Sequence, residues 1–259
     1  MKIIQRLVAA LMLLTLTFTV ACNKPNDTNN GSNNGNNGSN NGNNGGGNNN
    51  SGIYNGHAFV DLDLPSGTLW ATCNVGANSP EDYGDYFAWG ETEPKAMYNW
   101  ETYKYCNYQY GYNNGLTKYC INSYEGYNGF TDNLTSLEAE DDAATVNWGE
   151  GWCMPTVDQW MELLGNTYTT WTTKNGVYGR LFTASNNNSL FLPAAGYYDW
   201  SWLREVGDSG QYWSKSLYIA DVDSDYAWSF HFSKSDVTRK RKLRYGGWSI
   251  RPVRTARQN

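Results

Sequence analysis

The sequence predicts an α+β domain with two or three short helices early, antiparallel strands late and much irregular loop. Three observations lead there. Helix-start signals occur at Ser79, near Glu138 and at Thr156, and none follows Gly165. Beyond Gly165, short runs of aromatic and β-branched residues alternate with small or polar ones, the period of strands. The composition is 12 Trp, 20 Tyr, 8 Phe and 27 Gly with only 17% charged residues, which suits a β-rich, loop-rich extracellular domain.

The elements follow in order. Ala58–Leu64 reads as a strand, and Leu69–Val75 as a second after the turn at Pro65-Ser66-Gly67. Ser79-Pro80-Glu81-Asp82 reads as a helix start, with Ser as N-cap, Pro in the first helical place and acids in the first turn. Glu138–Val146 reads as a second short helix. The clearest begins at Thr156, whose partner Gln159 completes a capping box; Trp160, Leu163 and Leu164 fall on one face, and Gly165 is a stop. Strands are then expected at Tyr168–Thr173, Tyr178–Thr183, Leu190–Pro193, Tyr212–Ser216, Tyr226–Phe232 and Trp248–Val253. In Tyr226–Phe232, large aromatics alternate with Ala227, Ser229 and His231, which predicts one buried and one free face.

Ahead of this domain, Lys2 and Arg6 precede the apolar stretch Leu7 to Val20, and Thr19-Val20-Ala21 leads to Cys22. This is the pattern of a secretory signal, and the stretch is short against the roughly 20 apolar residues of a spanning helix. The small residues before Cys22 resemble a bacterial lipobox, with Thr19 where Leu is commonest. The resemblance implies cleavage before Cys22, lipid on that residue and anchoring at the outer membrane, facing outward. From Asn23 to Gly52 the chain is nearly all Asn, Gly and Ser, with too little apolar surface to order itself. About 30 such residues span on average roughly 30 Å. The expected organisation is a signal peptide at 1–21, a lipidated cysteine and flexible tether at 22–56, one domain at 57–254 and a tail at 255–259. The net charge of −6 argues against nucleic acid as a partner, and membrane contact is expected through the lipid alone.

With Cys22 lipidated, four cysteines remain, and export permits their oxidation. Cys106 and Cys120 flank the insert Tyr108–Lys118 and are the expected disulfide; Cys73 and Cys153 are either a second pair or free buried thiols.

Spaced motifs run through the domain: Leu64-Pro65-Ser66-Gly67-Thr68-Leu69-Trp70-Ala71-Thr72, Tyr86-Phe87-Ala88-Trp89-Gly90-Glu91-Thr92, Gly151-Trp152 before Met154-Pro155-Thr156, Leu192-Pro193-Ala194-Ala195-Gly196-Tyr197, Tyr212-Trp213-Ser214 and Ser249-Ile250-Arg251-Pro252-Val253. Over almost all of 57–254 these resemble the Fibrobacter succinogenes major paralogous domain family. The resemblance implies a C-type-lectin-like fold of the formylglycine-generating-enzyme type, in surface or secreted proteins that are mostly without an assigned activity. Related domains bind protein or glycan ligands, and some have C-terminal β regions diversified by retroelements. Cys153 stands where the family carries Arg, which puts that local network in question.

Chemistry is sparse. No Cys follows Cys153, so the paired late cysteines of the formylglycine-generating enzymes are missing, and His57 and His231 are too few for a histidine metal cluster. No catalytic residue, metal site or cofactor is assigned. Glu138, Glu140, Asp141 and Asp142 read as acids near a helix N-terminus. Asp221–Asp225 begins like a calcium loop but has Tyr226 where Gly is needed and Phe232 where Glu is needed.

Two stretches read as a contact surface. Tyr198, Trp200, Trp202 and Arg204 put bulky indoles where the family is usually small or polar. Arg239, Lys240, Arg241, Arg244 and Tyr245 concentrate charge, nine of the 19 basic residues lying at or after Lys234. With Tyr212 these form the expected ligand-binding face of a non-catalytic, surface-tethered domain. Its expected partner is a protein or a glycan, and the basic run favours an anionic one. The rival readings are a carbohydrate-active or modifying enzyme using the acidic residues, and a structural surface or appendage component.

Overall fold

The computed structural model describes residues 51–108, 115–221 and 223–255. The expected signal segment, Cys22, nearly all of the expected tether, the middle of the Tyr108–Lys118 insert and the tail from 256 lie outside them. Among the described residues no helix is long and apolar enough to cross a membrane.

The chain is mostly antiparallel strand in small sheets, with few helices. It opens on β1 (Gly52–Tyr54) and β2 (His57–Asp61), joined through Asn55-Gly56 with both φ angles positive, the backbone a tight hairpin requires. Strand β3 (Thr68–Ala71) follows. Helix α1 (Ala143–Trp148) is capped by Asp142, whose side chain accepts from the N–H groups of Ala144 and Thr145. Helix α2 (Val157–Gly165) carries the expected capping box between Thr156 and Gln159, a cap whose loss costs about 1 kcal/mol. Then come β4 (Thr167–Lys174), β5 (Val177–Ala184), β6 (Ser189–Pro193), β7 (Tyr197–Asp199), β8 (Trp202–Arg204), β9 (Ser209–Leu217), β10 (Tyr226–Ser233), β11 (Val237–Leu243) and β12 (Val253–Thr255).

Four sheets result, in the orders β1-β2-β3-β12, β4-β5-β6, β11-β10-β9 and β7-β8. The first holds both ends of the described domain in one sheet, at its two edges, with Val253 opposite Trp70. Two aromatic clusters fill the interior. Trp160 of α2 stacks on Phe230 at 4.6 Å beside Trp70, Phe182 and Tyr212. Trp89, Trp152, Trp213 and Trp248 form the other cluster. Indoles this deep need acceptors: Trp213 donates to the Phe87 carbonyl, Trp89 to that of Ser214 and Trp248 to the Gln211 side chain, each at 2.8 Å.

Several expectations are corrected. Ser79–Asp82 is a turn, not a helix: the Asp82 carboxylate accepts from the N–H groups of Asn78 and Ser79 and folds the chain on itself. Strand β10 has no free face: other parts of the chain pack on both sides of its sheet, and Ala227, Ser229 and His231 are buried along with Phe230 and Phe232. The run around Arg239 is strand β11, at a sheet edge, where charge opposes pairing with foreign strands. Trp248 and Ser249 make isolated bridges, and regular strand begins only at Val253. Finally, Cys106, Cys120 and Cys153 are free thiols, so the expected Cys106–Cys120 bridge is absent. Backbone pairing closes the neck of the insert instead: Cys106 bridges Leu116, and the Asn107 N–H donates to the Gly115 carbonyl at 2.7 Å. The Cys120 thiol donates to the Asn122 carbonyl.

Candidate functional site

The β7–β8 hairpin is the most exposed apolar feature of the late region. Asp199 pairs with Trp202, so its turn is the two residues Trp200 and Ser201. Trp200 has φ 57, a left-handed conformation that bulky side chains rarely adopt. Paired backbone hydrogen bonds hold it there: the Tyr98 N–H donates to the Trp200 carbonyl at 2.9 Å, and the Trp200 N–H to the Tyr98 carbonyl at 3.1 Å. Tyr198 makes the same exchange with Gly247, at 2.8 and 3.0 Å. A Cβ on Gly247 would lie 2.8 Å from the Tyr98 ring and 2.9 Å from the Tyr198 Cβ, so only Gly allows this approach. Tyr198 is stacked on Tyr98 at 5.5 Å and meets Tyr86 edge-on at 5.0 Å. The base of the hairpin is thus clamped while its tip stays open: Trp200 is 51% and Trp202 66% exposed, beside exposed Leu203 and Arg204.

Beside the tip lies a hollow of about 80 Å³ lined by Asn99, Trp100, Glu101, Tyr108, Trp200 and Tyr245. Trp100 meets Tyr245 edge-on at 5.2 Å. The Asn99 side chain caps the following turn by accepting from the Thr102 N–H. Trp100 and Tyr108 were not expected here; the aromatic spacing around the insert was their only sequence signal. Tyr245 also borders a second hollow of about 240 Å³, together with Tyr197, Asp199, Arg241 and Lys242. The expected aromatic and basic stretches therefore meet at Tyr245, whose hydroxyl burial pushes up in pKa, with Asp199 adding to the effect.

The basic run divides. Arg239 is exposed and lies over the Trp228 ring at 4.7 Å. Arg241 lies over Tyr218 and Tyr226 at 5.2 and 5.0 Å and pairs with Asp221 at 2.6 Å. Lys240 is half-buried and pairs with Asp236 at 3.6 Å. Arg244 corrects the expectation, being 0% exposed. It donates to the Tyr103 hydroxyl and to the carbonyls of Lys118, Tyr119 and Ser224, against the Trp89 ring. A guanidinium has donors enough to tie the insert neck to the end of β11. Tyr212 is likewise 0% exposed, its hydroxyl donating to the Pro193 carbonyl. Neither can touch a ligand.

The acidic residues also separate. Lys118 pairs with Glu138, Glu140 and Asp141 at 2.6, 3.2 and 2.7 Å. Burial works against ionisation of Asp141, but Lys118 and the hydroxyls of Tyr105 and Tyr119 outweigh it and hold the carboxyl at about 2. Such a group stays ionised and is no general acid. Carboxylate oxygens of Glu125, Asp223 and Asp225 gather within 4.8 Å of one another. Burial raises the Glu125 pKa, and Asp223 adds to the effect. Among the described residues this is the nearest approach to the calcium loop that Asp221–Asp225 suggested.

Compared with family models, curated proteins and solved structures, the chain finds no match.

Proposed function

We propose that the chain is a non-catalytic, surface-tethered binding domain of C-type-lectin-like fold, as its resemblance to the Fibrobacter succinogenes major paralogous domain family suggests. It takes a protein or glycan ligand on the surface formed by the β7–β8 tip and the aromatic hollow beside it. The observation that carries this reading is Trp200. A left-handed turn position is most stable as Gly or Asn, and here it holds a large indole whose ring is half in water. Strain kept at an exposed aromatic is explained by a partner that uses the ring. Tyr198, Trp202, Arg204 and Tyr245 supply the surrounding contact. Arg239 and Arg241, held over aromatic rings, supply the positive flank for an anionic ligand.

The test is a glycan and host-protein array, followed by titration of the best ligand with Trp200→Ala and Trp202→Ala. Each should weaken binding by more than about 1 kcal/mol. For an anionic ligand, affinity should also fall with salt, since exposed charges are screened over about 8–10 Å near physiological ionic strength. Unchanged binding in both variants would remove the tip from the site.

A further inference from the structure

A second candidate site lies where the two ends of the described domain meet. It is a cleft of about 460 Å³ bordered by Tyr54 of β1, Glu150, Trp152, Cys153, Lys215 of β9 and Arg254 of β12, a volume in the range of small-molecule sites. None of these residues takes part in the surface proposed above.

One cation at the cleft, Arg254, has a buried donor that the protein leaves unused. Its guanidinium lies over the Tyr54 ring at 3.9 Å, with Phe59 at 5.2 Å. No described residue accepts a hydrogen bond from it, and its buried Nε is without a partner. Lys215 Nζ is 3.7 Å from the Asp142 carboxylate, beyond hydrogen-bond reach. That carboxylate is fully buried and already accepts from the N–H groups of Ala144, Thr145 and Met154. Lys215 therefore pairs with Asp142 by charge alone, while the Arg254 Nε is a buried donor without a partner, which native chains rarely keep.

We propose that this cleft binds a small organic carboxylate. The Arg254 fork matches two carboxylate oxygens, and Lys215 adds a second positive charge. The Tyr54 ring offers an apolar border to a carbon skeleton. Gly151 lets that ring pack close to the chain, since a Cβ there would come 2.7 Å from the Tyr54 hydroxyl.

The experiment titrates the full chain with benzoate, succinate and inorganic phosphate at constant ionic strength, by calorimetry and by the Trp152 contribution to indole emission. Benzoate or succinate should bind saturably and more tightly than phosphate. Arg254→Lys, which keeps the charge but loses the fork, and Lys215→Met should each weaken binding about tenfold or more. Trp200→Ala should leave it unchanged, which separates this site from the hairpin surface. Absence of saturable binding, phosphate binding as tightly as the carboxylates, or equal affinity in folded Arg254→Lys and Lys215→Met would each overturn the proposal. Circular dichroism on both variants confirms that a lost signal is not lost structure.

Discussion

Replacing Trp200 by glycine and by alanine separates strain from contact. Both changes remove the same indole and so lose the same packing and the same ligand contact. They differ in backbone. Alanine must keep the φ of 57 that the turn imposes, at roughly 1–2 kcal/mol for an L-residue in the left-handed region. Glycine escapes that cost but loses more freedom on folding, by about 0.4–1 kcal/mol. The glycine variant should therefore be the more stable by about 0.5–1 kcal/mol, the reverse of the usual order. For a domain of this size that is a melting difference of roughly 1–4 °C. Thermal unfolding of the two variants under identical conditions reads it directly. Ligand affinity should be equally reduced in both. An alanine variant as stable as the glycine variant, or more so, would show that the turn is unstrained and remove the argument that function keeps the indole in place.

Three further outcomes follow. Arg244→Met should destabilise the domain by more than about 3 kcal/mol in denaturant titration, because it strands the carbonyls of Lys118, Tyr119 and Ser224 in the interior; ligand affinity of the remaining folded fraction should be unchanged. Burial and the nearby Lys240 and Lys242 push the His231 pKa down to about 4 from 6.5, with Asp236 and Glu205 opposing. The unfolded chain then binds a proton that the folded chain refuses, so this residue's contribution is full above pH 6.5 and falls as pH drops towards 4. The loss is roughly 2 kcal/mol once solvent screening is allowed for, and His231→Gln should flatten stability over that window; an unchanged slope would place the effect elsewhere. Metabolic labelling with a palmitate analogue should mark the wild type and not Cys22→Ala, and equal labelling would end the anchoring proposal.

Local signals were readable wherever neighbours in sequence were also partners in space. Thr156 and Gln159 satisfy each other's backbone groups within one turn, so the capping box and α2 followed directly from spacing. Strands β4 to β6 and β9 to β10 followed from alternation. The failures come from long range. Arg244 reads as one more charge in a basic run, yet its acceptors lie at Lys118, Tyr119 and Ser224, and nothing in the run distinguishes it from Arg239. The alternation of β10 could not show that its second face, at Ala227, Ser229 and His231, is also covered. The exposed tip at Trp200 and Trp202 was visible as an anomaly of residue type. The hollow beside it was not, because it needs Trp100, a hundred residues earlier, to be brought against Tyr245.

The sheet that joins the ends of the described domain also sets how it would respond to pulling. Strand β1 is an edge strand held to β2 by three residue pairs, from Gly52 opposite Phe59 to Tyr54 opposite His57. A load entering at Ser51 reaches Gly52 first, so these pairs open one after another like a zip rather than sharing the load in shear. The first yield point is thus a few residues of slack with both aromatic clusters intact. Those residues include Tyr54, the ring on which Arg254 lies. Tension would therefore dismantle one wall of the cleft before it disturbed the interior, making the cleft's occupancy sensitive to mechanical force.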